Sequence, residues 1–147
     1  MTVTFRAALP QDAARIVALM HDYYGEDGYP FDVTAARDTV DGLLARPDLG
    51  QLWCVQAGDE IVGYFALTLG YSLEYRGVDA FLDELYLAPA YRGQGIGTRA
   101  LACLEDRAQA LGVRALHLEV EKAKPAIALY RRWGFAAHDR LLMTKKL

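Results

Sequence analysis

Three groups of residues in this sequence have the types and spacing for chemistry. They are Arg92-Gly93-Gln94-Gly95-Ile96-Gly97 followed by Thr98, the adjacent acids Asp83 and Glu84, and the phenol of Tyr130. Glycines at alternate positions let backbone amides approach a ligand, and a helix opening directly afterwards leaves its first amides unpaired. With the positive end of the helix dipole, this forms a site for an anion, most often a phosphate. Arg92 adds charge and Thr98 a hydroxyl donor. A dinucleotide fingerprint requires G-x-G-x-x-G at the first strand–helix turn, whereas here the pattern is G-x-G-x-G and comes late. A Walker loop ends in Gly-Lys-Ser/Thr, and Gly97-Thr98 lacks the lysine. A glycine-rich turn with no ligand stays open at this level.

A phenol with a pKa near 10 can protonate a departing group of similar basicity, and a carboxyl raised by burial can take a proton near neutral pH. Structural alternatives stand beside both roles. Tyr130 could be a core aromatic beside Ala126 and Ile127, and the acids could bond backbone or pair with an arginine. Consecutive strand residues face opposite ways, so only one of Asp83 and Glu84 is expected in a shared pocket unless a bulge intervenes.

The elements that must position these groups follow from periodicity. Val3 to Leu9 reads as a strand, and Pro10-Gln11-Asp12 opens a helix carrying Ile16, Leu19, Met20 and Tyr23. Tyr24 to Asp32 reads as a turn-rich loop, followed by a helix over about 34–46. Leu52 to Ala57 and Ile61 to Leu73 form a hairpin around Gly58-Asp59, and Ala80 to Leu87 is a further strand. A helix follows the glycines and stops at Gly112. Leu116, Leu118 and Val120 alternate with His117, Glu119 and Glu121 as a half-buried strand. A short helix runs from Pro125 to about Trp133, and Phe135 to Leu147 is expected to be a strand. This order predicts an α/β (α+β) single domain over 1–147, with a mixed, mostly antiparallel sheet flanked by helices.

The 147 residues are 53% hydrophobic and 24% charged, with a net charge of -3, which describes a globular chain. No dense Lys/Arg stripe points to nucleic acid. No run of about 18 apolar residues points to a membrane, and the first residues lack a signal-peptide core, so the expected location is cytoplasmic. Cys54 and Cys103 read as small buried apolar residues. His21, His117 and His138 stand alone, so no metal is expected.

Arg92-Gly93-Gln94-Gly95-Ile96-Gly97 resembles the Arg/Gln-x-x-Gly-x-Gly/Ala motif of the GCN5-related N-acetyltransferases. Ala126-Ile127-Ala128-Leu129-Tyr130-Arg131-Arg132-Trp133-Gly134-Phe135 is similar to that family's A-x-x-L-Y-x-x-x-G-F block. The resemblance implies that the glycine segment binds the pyrophosphate of acetyl-CoA. It implies that the backbone of Leu85 and Leu87 pairs with pantetheine in a gap beside a splayed strand, with the Leu87 amide polarising the thioester carbonyl. It also implies Tyr130 as general acid and an acid at 83 or 84 as base. One departure is Ala123, which stands where the family often has an asparagine that contacts the cofactor; a water or a neighbouring lysine would have to replace it.

For the acceptor, the aromatic and acidic segment around Tyr24 and Tyr29 stands out, together with Glu74 beyond the third strand and Glu119. Acids mixed with aromatics suit a cationic amine. A packed loop and a solvated strand face are the plainer readings. The expected activity is acetyl-CoA-dependent acetylation of a primary amine, by direct transfer in a ternary complex. The acceptor would be a small cationic amine, an amino sugar or a peptide amine. A non-catalytic acyl-CoA-binding domain and a nucleotide-binding module are the alternatives. Exposed strand edges are compatible with a homodimer.

Overall fold

The central strands are apolar on both faces, and this decides the layering. Leu52 and Cys54 of strand β2 (Gly50–Ala57) pack into one core cluster, while Trp53 and Val55 pack into another. Tyr64 and Ala66 of β3 (Glu60–Ser72) join the first cluster, and Phe65 and Leu67 the second. Side chains alternate across a strand, so a strand apolar at every position must be covered on both sides. Helices α1 (Ala13–Glu26) and α2 (Val33–Leu44) cover the first face through Ile16, Leu19, Met20 and Val40. Helix α3 (Ile96–Ala110) covers the second through Ile96, Ala100, Leu101 and Leu104. Trp53 stacks on Phe65 at 5.0 Å there.

The computed structural model describes residues 2–147. Strands β1 (Val3–Ala7), β2, β3 and β4 (Gly77–Leu87) run antiparallel in sequence order. Strand β5 (Ala115–His117) pairs parallel with β4 after the crossover through α3. A short helix α4 (Ala126–Arg132) follows. The mixed, mostly antiparallel sheet flanked by helices is the expected one.

Several boundaries differ from the sequence reading. Helix α1 extends to Glu26 and shortens the aromatic loop, while Asp32 caps α2 by accepting the Ala35 amide at 3.1 Å. The expected strand over 116–120 is only Ala115–His117. Phe135 to Leu147, expected as a strand, forms no ladder; Leu141, Leu142 and Met143 stay exposed. Alternation predicts a strand only where a neighbour offers backbone partners, and β5 is too short to offer many. Cys54 is fully buried, with its thiol pushed up to about 11 by desolvation, and Cys103 is a free, half-buried thiol. His117 pairs with Asp79 at 3.1 Å across β4 and β5, and no metal-binding cluster occurs among the described residues.

Asp12 is the only charged residue that is buried among the described residues, at 6% exposure. It accepts two hydrogen bonds from Arg6, at 2.8 and 2.9 Å, and one from the Leu9 amide at 2.8 Å. The Arg6 contact holds its carboxyl below the usual carboxylate range. A carboxyl depressed in the folded state stabilises above its unfolded pKa and loses that contribution as pH falls through the folded value. Asp12→Ala should therefore cost about 2 kcal/mol at pH 7 by urea denaturation. The gap to the wild type should narrow below about pH 4; a pH-independent difference would rule out this ionic origin.

Candidate active site

Gly95 is the N-cap of α3 and sits in the left-handed region at φ 78°. Gly93 shares that conformation at φ 72°, and a Cβ on either would meet no protein atom within 4 Å. The first intrahelical bond runs from the Arg99 amide to the Gly95 carbonyl at 3.2 Å. The amides of Ile96, Gly97 and Thr98 precede it and have no acceptor within the helix. Buried Ile96 fixes this turn to the core, so the three amides form a fixed donor set at the positive end of the dipole. The glycines thus leave the cradle open rather than filling it, which fits a bound pyrophosphate.

Arg92 lines the cleft beside this turn, with its charge partnered by α1. Its guanidinium bonds both Glu26 oxygens, at 2.8 and 3.0 Å, and the Leu87 carbonyl at 2.8 Å, over the ring of Tyr86. It ties α1 to the end of β4. Gln94 likewise donates to the Ala90 carbonyl at 3.1 Å.

Strand β4 pairs with β3 along its length but meets β5 only from Asp79 to Phe81. Beyond Phe81 the two strands separate. The Ala88 amide bonds the Val62 carbonyl at 2.8 Å, which fixes the phase of the ladder. Antiparallel pairs alternate, so Glu84 and Tyr86 bond β3 while the amides of Leu85 and Leu87 point the other way, into the gap. The splay that sequence could not reveal is therefore present, with backbone donors aimed into it.

The gap opens into a cleft of about 1090 Å³. One wall carries Leu85, Leu87, Gly93, Gly95, Ile96, Gly97 and Thr98; the other carries Glu119, Glu121, Leu129 and Tyr130. Tyr130 is half-buried, packs edge-on against Phe135, and its hydroxyl has no hydrogen-bond partner among the described residues. Burial raises its pKa, so the phenol stays protonated. Two contacts link the walls: Tyr29 donates to Glu121, and Lys124 bonds Asp27. Of the two lysines flanking Ala123, Lys124 is thus turned to Asp27.

The two acids are sorted by a β-bulge. Ala66 lies opposite Glu84 and Leu67 opposite Leu82, which leaves Asp83 as the extra residue. Leu82 and Leu85 consequently share one face although they are three residues apart. Glu84 is half-buried on the α1 face, where Tyr24 donates to one oxygen and Tyr64 to the other at 2.7 Å. Desolvation raises the Glu84 pKa; the two phenols lower it and the Asp83 charge raises it again. Asp83 reaches solvent, yet the surrounding protein pushes its carboxyl up as well.

Of the acceptor residues read from sequence, Tyr29 and Glu119 line the cleft. Tyr24 is engaged with Glu84 beside it. Glu74 lies apart, bonded to Arg140 at 2.9 and 2.8 Å. Tyr23, Glu26 and Asp27 of the aromatic and acidic segment also line the cleft, with Glu121 and Lys124; the pairings of Tyr29 with Glu121 and of Lys124 with Asp27 span up to 97 positions and leave no local pattern.

Residues 15–135 match the Acetyltransferase (GNAT) family. The chain belongs to this family. It is 31% identical to an IAA acetyltransferase of Azospirillum brasilense, over 92% of this chain and 84% of that protein. It is 28% identical to an aminoalkylphosphonate N-acetyltransferase of Salmonella typhimurium, over 88% and 82%. The crystal structure of integron cassette protein HFX_CASS3, from the mobile metagenome of Cole Harbour Salt Marsh, superposes with a TM-score of 0.88 at 38% identity, covering 97% of this chain and 90% of that one. The protein is thus a GNAT acetyltransferase. No helix among the described residues is long and apolar enough to cross a membrane.

A Cβ at Gly97 would stand 3.4 Å from the Leu129 methyl, at the floor of the GNAT cleft. Gly97→Ala should keep the fold, whereas Gly97→Trp should abolish acetyl-CoA binding by calorimetry and lower the melting temperature by pressing on α4. Undiminished affinity in Gly97→Trp would remove the glycine turn from the binding site.

Proposed function

We propose that this protein transfers the acetyl group of acetyl-CoA directly to the primary amine of a small cationic acceptor, both bound together. The observation that carries this reading is the unpartnered hydroxyl of Tyr130, opposite the outward-facing backbone of Leu85 and Leu87 in one cleft. When bound, acetyl-CoA supplies the acetyl group as an activated thioester.

The amides of Ile96, Gly97 and Thr98 would hold the pyrophosphate, with Gly93 and Gly95 leaving the approach free. The backbone of Leu85 and Leu87 would hold the pantetheine arm, and the Leu87 amide would donate to oxygen at the acyl carbon as negative charge develops there. Tyr130 holds a proton on its hydroxyl and delivers it to the departing sulfur. Its pKa, raised by burial, keeps that proton in place at neutral pH. Glu84 takes the proton that the acceptor ammonium must lose before its nitrogen can attack. Arg92 contributes by fixing Glu26 and the end of β4, while its charge is already partnered.

Acids around the opening support a cationic acceptor: Glu119 and Glu121 on one wall, Glu26 and Asp27 on the other. Lys124 and Arg92 offset part of that charge, so the preference is for one or two positive groups rather than a polycation. The aminoalkylphosphonate N-acetyltransferase relative supports a small amine. Amino sugars and peptide amines share the reacting group and belong in the same screen.

Tyr130→Phe should lower kcat by about 100-fold while KM for acetyl-CoA changes by less than about twofold. Thiol release against a panel of amines reads both. A wild-type kcat would remove Tyr130 from the reaction, and turnover confined to neutral or acidic acceptors would overturn the cationic assignment.

A further inference from the structure

We propose that Tyr64 and Tyr24 form a two-point clamp that orients the Glu84 carboxylate and keeps it able to accept the proton of the acceptor amine. The proposal rests on Glu84 being the base in the function above, and it makes the two phenols positioning residues.

The carboxylate is gripped from two elements. Tyr24 of α1 donates to Oε2, and the fully buried Tyr64 of β3 donates to Oε1 at 2.7 Å. Two donors on two separate oxygens fix the plane of the group, which a single contact would leave free to rotate. Each oxygen retains a second lone pair. When the ammonium N–H bond breaks, its electron pair stays on nitrogen and the proton ends on a Glu84 oxygen.

The chemical nature of the donors separates this acid from others in the chain. Asp12 is paired with Arg6 and Glu74 with Arg140, and both carboxyls are held below their ordinary values. A cation pins a carboxylate in its ionised form and makes it a poor base. Glu84 is held by neutral phenols instead. The titratable groups facing it are Tyr23 and Tyr24 from α1, Tyr64 from β3, and Asp83 and Tyr86 from its own strand. None of them is a lysine or an arginine. The bulge sets Asp83 beside Glu84, and its like charge works against ionisation while the phenols work for it. Burial, with the Glu84 contact adding to it, drives both tyrosines above their ordinary values, so they remain donors throughout.

The test is kcat/KM for the amine from pH 5.5 to 9.5, taken for each variant as a ratio to the wild type so that ionisation of the amine cancels. Removing a donor to the charged form moves the acid-side ionisation to higher pH. Tyr64→Phe and Tyr24→Phe should each lose roughly tenfold at pH 6, narrowing to within about twofold at pH 9, with KM for acetyl-CoA unchanged. Asp83→Asn should move the same ionisation to lower pH. Glu84→Gln should lose activity across the range and abolish the ionisation. A pH-independent ratio in both phenylalanine variants, with Glu84→Gln behaving as stated, overturns the clamp and leaves the base in place. A Glu84→Gln enzyme that keeps its rate and its ionisation overturns the base and the clamp together. If Tyr64→Phe does not fold, Tyr24→Phe, on the half-exposed side, decides the matter alone.

Discussion

One asymmetry in backbone pairing governs this molecule: β4 is bonded to β3 along its whole length and to β5 over three residues only. A strand in a sheet interior ordinarily spends its amides on both neighbours. Here the outer half of β4 keeps one set unspent. The phase established at Ala88 and Val62 determines which set that is, and it falls on Leu85 and Leu87. Parallel pairing from Asp79 to Phe81 requires the crossover through α3, and the same crossover brings the N-terminus of α3 to the mouth of the gap. The outward-facing amides of Leu85 and Leu87 and the open N-terminus of α3 are therefore two ends of one topological arrangement.

The bulge at Asp83 is the second device on the same strand. Without it, Glu84 and Leu85 would exchange faces, and a carboxylate would enter the apolar layer beneath α3. With it, the strand gives up its acid to the α1 side and resumes its backbone phase in time for Leu85. Glu84 then approaches tyrosines delivered by α1 and β3, which explains why aromatic rings crowd that region: Tyr23, Tyr24, Tyr64 and Tyr86 contact one another there.

Much of this was legible in the chain because it is local. The glycine spacing, the helix that follows, and the Leu129-Tyr130 block are contiguous patterns, and periodicity placed the helices and hairpin within a few residues. What escaped depends on distant partners. Nothing near Arg92 in sequence announces Glu26, and nothing near Glu84 announces Tyr24 or Tyr64. Glu74 looked like an acceptor acid but is bonded to Arg140, a pairing across 66 positions. The segment from Phe135 to Leu147 has strand-like residues, but local composition carries no record of whether a neighbouring edge is there to receive them.

The placement of the two tryptophans has a practical consequence. Trp53 is sealed in the core against Phe65, whereas Trp133 closes α4 one turn from Tyr130, with an indole nitrogen that is buried and has no hydrogen-bond partner. A buried indole N–H usually finds a hydrogen-bond partner, so the one at Trp133 stands out. Trp133, one turn from the cleft-lining Tyr130, is thus the indole placed to report movements of α4 by intrinsic fluorescence.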